Sequence, residues 1–210
     1  RMPTSSQLRQ HNKNGIVLDD ARVSIEVSAS ERVSVENEEQ RDGAESWYDP
    51  EEARRVYSDV YGDEAKGTGH ARSQLNSARA WSAKTGSVAP WLAIDVRKDN
   101  VNQTVVGVVT KGRGDGVAQW VKHYRVQVTS ETPAIDYTST AHDNGTSQLQ
   151  AIGSWKDVTL AASAEFPSEA SDKPRVARFA TVEQNVSFVR IVVTQYSSWQ
   201  SMRAAVILYK

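Results

Sequence analysis

The chain has 210 residues, a formal net charge of −1, 39% hydrophobic residues and no cysteine. This is enough apolar material for one real core, in one domain with extensions or in two small domains, and it excludes a disulfide framework, a thiolate metal site and a cysteine nucleophile. Apolar runs stop at four or five residues, as in Ala204–Leu208, far short of the roughly 20 that a membrane-crossing helix needs.

The near-zero charge hides a segregation. Residues 1–14 carry Arg1, Arg9 and Lys13 and no acid; residues 19–65 hold fifteen acids against five basic residues, a net of −10; residues 66–210 are net +6. Such a pattern reads as a solvated acidic region beside a mildly basic body, or as an acidic loop that meets a cation or a basic partner.

In chain order, residues 1–18 show no periodicity and read as a flexible polar arm. The arm lacks the apolar stretch of a signal peptide, and a mature chain that had lost one would look the same. Val23-Ser-Ile-Glu-Val-Ser-Ala alternates with the period of a half-buried strand, and residues 31–46 are polar and acidic, hence a loop. The run Trp47-Tyr-Asp-Pro-Glu-Glu-Ala-Arg-Arg-Val-Tyr offers an Asp cap, a first-turn proline and acids, which predicts the start of a short helix. Residues 62–70 form a glycine-rich loop.

From Trp81 onward the pattern is β. Trp91–Arg97, Thr104–Arg113, Val121–Thr129, Arg175–Thr181, Ser187–Tyr196 and Met202–Lys210 are short, rich in β-branched residues and separated by Gly, Asn, Asp, Ser and Pro. Tyr124, Val126 and Val128 share one face of the third, and Val189, Ile191 and Val193 form the inward row of the fifth. Many short strands with one-sided alternation predict an all-β, antiparallel sandwich or barrel with one short helix.

Particular residues then carry a resemblance. Ala80-Trp81, Trp91-Leu-Ala-Ile-Asp95-Val, Thr110-Lys-Gly112-Arg113 and Gln119-Trp120-Val-Lys-His-Tyr124-Arg-Val-Gln-Val-Thr-Ser130 follow one another in order. Phe188-Val-Arg190-Ile, Trp199 and Met202-Arg203-Ala-Ala-Val-Ile-Leu-Tyr209 close the chain. In order and spacing these resemble the discoidin, or coagulation factor 5/8 type C, domain family. The resemblance implies a jelly-roll-like antiparallel β-sandwich over residues 19–210, with the arm 1–18 outside it and an acidic insertion at about 31–72. It departs from the family where the terminal cysteine pair is missing, so closure falls to strand pairing, and where Lys111 replaces the glutamine of the Thr-Gln-Gly-Arg motif.

The resemblance also implies a non-enzymatic recognition or adhesion module. Its ligand would be a glycan, an extracellular or matrix protein, or another partner, held by loops at one end of the sandwich; segments 31–46 and 114–119 are expected there. Trp47, Arg113, Asp115, Gln119, Trp120 and His123 supply the aromatic faces and planar hydrogen-bonding groups that a sugar needs. For Trp120 the alternative is simple inward packing. Asp95, inside an apolar strand, is expected to be structural and paired, with Arg113, Arg190 and Arg203 as candidate partners. Asp42, Glu45 and Asp49 have the oxygen chemistry of a structural Ca²⁺ site, or are a solvated acidic cluster. Arg113-Gly114-Asp115 spells the integrin tripeptide, at a place where a structural arginine is expected.

Other classes find little support. Loop 31–46 is acidic and poor in aromatics, which argues against an anionic phospholipid membrane. Nucleic acid is disfavoured because the basic residues are dispersed along strands. Histidines 11, 70, 123 and 142 form no metal motif, no nucleophile elbow or phosphate loop occurs, and Gly67-Thr-Gly69 reads as a flexible turn. Sequons at Asn102, Asn144 and Asn185 point to an extracellular or cell-surface glycoprotein. The missing cysteines and the long arm favour the competing reading, a structural subunit of a large assembly that self-associates or docks through the arm and residues 31–72.

Overall fold

A computed structural model describes residues 44–161 and 172–210, so the arm 1–18, the strand predicted at 23–29 and residues 31–43, Asp42 included, lie outside the described residues. Ten strands are β1 Glu45–Tyr48, β2 Arg55–Tyr57, β3 Trp81–Ser82, β4 Trp91–Asp95, β5 Gln103–Lys111, β6 Trp120–Thr129, β7 Lys156–Val158, β8 Arg175–Val186, β9 Phe188–Ser197 and β10 Ser201–Tyr209. One sheet runs β1-β10-β5-β8, with β3 also on β10; the other runs β2-β4-β9-β6-β7. Every pairing among these strands is antiparallel. The described part is thus the antiparallel β-sandwich that the alternating segments predict.

The inward rows explain why it holds. Tyr124, Val126 and Val128 of β6 and Val189, Ile191 and Val193 of β9 meet Val105, Val108, Ala204, Val206 and Leu208 of the opposite sheet in one core. Each such Val, Ile or Leu side chain removed from water contributes about 1.5–3 kcal/mol. Central β4 is buried at all five positions, because its outer face is covered as well: Trp91, Ala93 and Phe188 pack with Val56, Leu149 and Ile152. Leu149 comes from α1, Thr146–Gln150, the only α-helix among the described residues.

The helix expected to start near Trp47 does not form. Trp47 and Tyr48 belong to β1, Glu52–Arg54 make a single 3₁₀ turn, and Arg55–Tyr57 pair with β4. Asp49 does not cap; it accepts hydrogen bonds from Arg55 Nη2 at 2.5 Å and from Leu75 N at 3.0 Å. Val56 and Tyr57 are both fully buried, in two different clusters, and the two-sided alternation of a strand delivers that where a helical turn would not. Residues 44–57, within the stretch read as an acidic insertion and its flank, therefore supply a strand to each sheet.

Asp95 is paired, but with none of the three expected arginines. Arg97 Nε and Nη2 donate to its two oxygens at 3.0 and 2.8 Å, Arg54 Nη1 lies 3.5 Å away, and the Tyr137 hydroxyl donates to it as well. Residues two apart in an extended chain share a face, so Arg97 reaches Asp95 locally. Arg203 is in the opposite sheet, where it donates to the carbonyls of Gly112, Leu75 and Ser77 and to Asp172. Arg190 grips Gln127 Oε1 and stacks 4.0 Å above Trp155. Terminal closure falls to β1 on β10, extended by a bond from Lys210 N to Ala44 O.

Candidate functional site

One end of the sandwich is built by the connections β2–β3, β3–β4, β5–β6 and β9–β10. The register sets this end. Trp120 lies opposite Ser197, and Arg203 opposite Lys111, so the start of β6, the ends of β5 and β9 and the start of β10 come together. Tyr209 pairs with Glu45 at the other end. Of segment 31–46 only residues 44–46 are described, and they lead into β1 at the end away from these loops.

Between these connections lies a pocket of about 200 Å³ lined by Tyr61, His70, Ser82, Arg113, Gln119 and Trp199. Asp59, in the β2–β3 connection, ties that loop to β3 and to the β3–β4 connection. Its carbonyl accepts from Trp81 Nε1 at 2.8 Å, and its carboxylate accepts from Lys84 N at 2.6 Å and Ser87 Oγ at 2.8 Å. Trp199 Nε1 donates to Ala83 O at 3.0 Å, which fixes the indole. Tyr61 stands edge-on to both neighbours, with centroids 5.5 Å from Trp199 and 5.1 Å from His70. Tyr61 is 45% exposed because its partner rings form a wall and not a core.

The polar groups are held in fixed directions. Arg113 Nε and Nη2 donate to Asp115 at 2.6 and 2.7 Å, and Nη1 donates to Gln119 Oε1 at 2.9 Å. The Arg113 guanidinium holds the Asp115 carboxyl below its ordinary pKa. Glu64 accepts from the His70 backbone N–H and stands 2.9 Å from His70 Nδ1. Partial burial raises the Glu64 carboxyl, and the two His70 N–H groups more than offset this, leaving its pKa below the ordinary value. His70 Nε2, Gln119 Nε2 and the Tyr61 hydroxyl, all on lining residues, have no protein hydrogen-bond partner among the described residues.

Of the residues singled out in the sequence, the fold brings Arg113, Asp115 and Gln119 together here. Trp47 is on β1, 51% exposed and away from the pocket; Trp120 and His123 lie on β6 and do not line it. Sequence reasoning missed Tyr61, His70 and Ser82, and Trp199 entered only as a family landmark. The glycine-rich loop before His70 was the available signal. The integrin tripeptide is closed on itself by the Arg113–Asp115 pair.

Of the residues suggested as calcium ligands, Asp42 lies outside the described residues and the other two carry protein partners. Glu45 accepts from Arg178 and Asp49 from Arg55 and Leu75 N. Among the described residues no group of three or more His, Asp or Glu is placed to hold a metal ion, and no helix is long and apolar enough to cross a membrane.

Comparison with known proteins agrees with this architecture. The model of the F5/8 type C domain matches residues 56–206. No curated protein sequence matches the chain. Among solved structures, an F5/8 type C domain from Bacteroides fragilis is 13% identical with a TM-score of 0.51, covering 78% of this chain and 97% of that one. Discoidin II of Dictyostelium discoideum is 14% identical with a TM-score of 0.41, covering 73% of this chain and 49% of that one, so the chain spans about half its length. The family 32 CBM from C. perfringens NanJ, in complex with galactose, is 11% identical with a TM-score of 0.48, covering 80% of this chain and all of that one.

Proposed function

Because this chain belongs to the F5/8 type C domain family, whose members are generally non-catalytic carbohydrate- or protein-binding modules, we propose that it is a glycan-recognition module that binds through the pocket of Tyr61, His70, Arg113, Gln119 and Trp199. The observation that carries this reading is the joining of two fixed aromatic rings to three open hydrogen-bonding atoms in one small concavity. A sugar ring has apolar C–H faces that stack on aromatics and hydroxyls that need directional partners. At about 200 Å³ the pocket is smaller than the roughly 300–1,000 Å³ of drug-sized sites. It takes a single ring and leaves the rest of the glycan outside.

On this reading the protein works outside the cell or on its surface, in keeping with the three sequons; a mass decrease on enzymatic deglycosylation of the natural protein checks that placement. The direct test is a glycan array with the full chain and with Trp199→Ala. Binding to a defined glycan that falls at least tenfold in the variant supports the proposal. An array without signal sinks it.

A further inference from the structure

We infer that Glu64 is a positioning residue that sets the hydrogen-bond polarity of this pocket: it holds His70 as the Nδ1–H tautomer, so that Nε2 meets the ligand as an acceptor. An ionised carboxylate can only accept hydrogen bonds, and Glu64 Oε2 faces both the His70 backbone N–H and His70 Nδ1. The ring proton must therefore be on Nδ1. A neutral imidazole has one donor and one acceptor nitrogen, which leaves Nε2 with its lone pair toward the pocket.

The sequence makes room for this contact at one place. A Cβ at Gly69 would lie 1.9–2.0 Å from the Glu64 carboxylate, so any other residue there pushes the carboxylate off His70. The side chain of His70 is 16% exposed and that of Glu64 34%, enough enclosure for the pair to keep its geometry. The charged groups around His70 are few. Glu64 is on its own loop, Arg113 comes from the β5–β6 connection with its Asp115 counter-charge, and Arg79 lies 3.6 Å from Asp115. Tyr61, Ser82, Gln119 and Trp199 complete the lining without formal charge.

The consequence concerns ligand class, and this part rests on the glycan reading. A neutral hydroxyl can donate to Nε2, whereas a sulfate or carboxylate oxygen would face it lone pair to lone pair. Arg113, the arginine of the lining, is already held by Asp115. The pocket therefore selects a neutral, hydroxyl-bearing ring over its sulfated or carboxylated form.

The tautomer is read without any ligand, by long-range ¹H–¹⁵N correlation of the imidazole nitrogens in the labelled full chain at about pH 8, where an ordinary imidazole is neutral. The expected result is a protonated Nδ1 and an unprotonated Nε2 at His70. Glu64→Ala should release the ring to the Nε2–H form, and Glu64→Gln, whose amide oxygen still accepts, should restore Nδ1–H. Gly69→Ala should act like Glu64→Ala, with β-sheet circular dichroism confirming that both variants fold. A wild-type His70 in the Nε2–H form, or no change in Glu64→Ala, overturns the inference. On an array of paired neutral and sulfated glycans, neutral binding about tenfold stronger than sulfated supports the selection, and the reverse order overturns it. A silent array beside the expected tautomer upholds the role of Glu64 and fails only the glycan reading.

Discussion

The guanidinium of Arg113 holds the carboxylate of Asp115 through two parallel hydrogen bonds, Nε to Oδ1 at 2.6 Å and Nη2 to Oδ2 at 2.7 Å. Each side chain is the other's partner across a single glycine, so neither end of the Arg-Gly-Asp tripeptide extends toward a second protein. The chain is expected not to support integrin-dependent cell attachment, and an Arg-Gly-Asp peptide should compete for none of its binding. Asp115→Ala should loosen the 112–119 connection and weaken glycan binding while costing no more than about 1 kcal/mol of stability, the range of exposed ion pairs.

Asp95 has no exposed surface, and its two oxygens hold Arg97, Arg54 and Tyr137. Asp95→Ala leaves the Arg97 cation, itself 8% exposed, without its main partner. Breaking one side of a buried pair costs about 3–5 kcal/mol, so the urea unfolding midpoint should fall steeply. Arg125→Ala, which breaks an exposed pair with Asp157, should leave the midpoint within experimental error.

Gly107 is in β5 between β10 and β8, and a Cβ there would meet the Ala177 carbonyl at 2.5 Å and Ile207 Cδ1 at 3.1 Å. The near atom is backbone, which cannot step aside. Gly107→Ala should destabilise by about 1–3 kcal/mol, the cost of overpacking, seen as a lower thermal midpoint with unchanged strand content.

Lys66 is 7% exposed, and burial lowers its pKa to about 8, with Glu52 and Asp143 opposing the shift. The folded state thus binds this proton less tightly than the unfolded chain, whose lysine titrates near 10.4. Stability should rise with pH between about 8 and 10.4, because the unfolded chain holds more protons there. Lys66→Met removes the charge that burial disfavours; it should raise the unfolding midpoint at pH 7, and the gain should shrink as pH rises through that window.

The three sequons differ in the folded chain. Asn102 Nδ2, the atom a glycan would occupy, donates toward Ser130 O, Asn185 O and Asn185 Oδ1, and Asn144 Nδ2 donates to Asp136 O at 2.7 Å. Asn185 is exposed and uses its Oδ1 as the acceptor. Expressed through a glycosylating secretory pathway, the chain should carry glycan at Asn185 in preference to Asn102 and Asn144. Peptide mapping with site occupancy reads this directly, and full occupancy of Asn102 with an unchanged thermal midpoint would contradict it.

The sequence by itself determined the sandwich. Period-two alternation in Val121–Thr129 and Ser187–Tyr196, and the unbroken apolar run inside Met202–Lys210, are set by which side chains must leave water, and each segment became a strand whose bounds differ from the reading by a residue or so. It also marked Arg113, Asp115 and Gln119, because they are close in the chain and bond to one another locally. Only the tertiary structure decided the rest. Residues 47–57 carry helix-start chemistry, yet burial of Val56 and Tyr57 on opposite faces of β2 overrode that local preference. Asp95 chose Arg97, two residues along its own chain: Arg113 and Arg203 belong to the opposite sheet and its loops, and Arg190, opposite Ala93 on the neighbouring strand, is held by Gln127 and the rings of Trp91 and Trp155. Tyr61, His70 and Trp199 are separated by up to 138 positions in the chain, and they form one wall only because two sheets close at that end. A sequence pattern encodes which face is buried; which distant loops then share a pocket is fixed by strand order and register, which no local period contains.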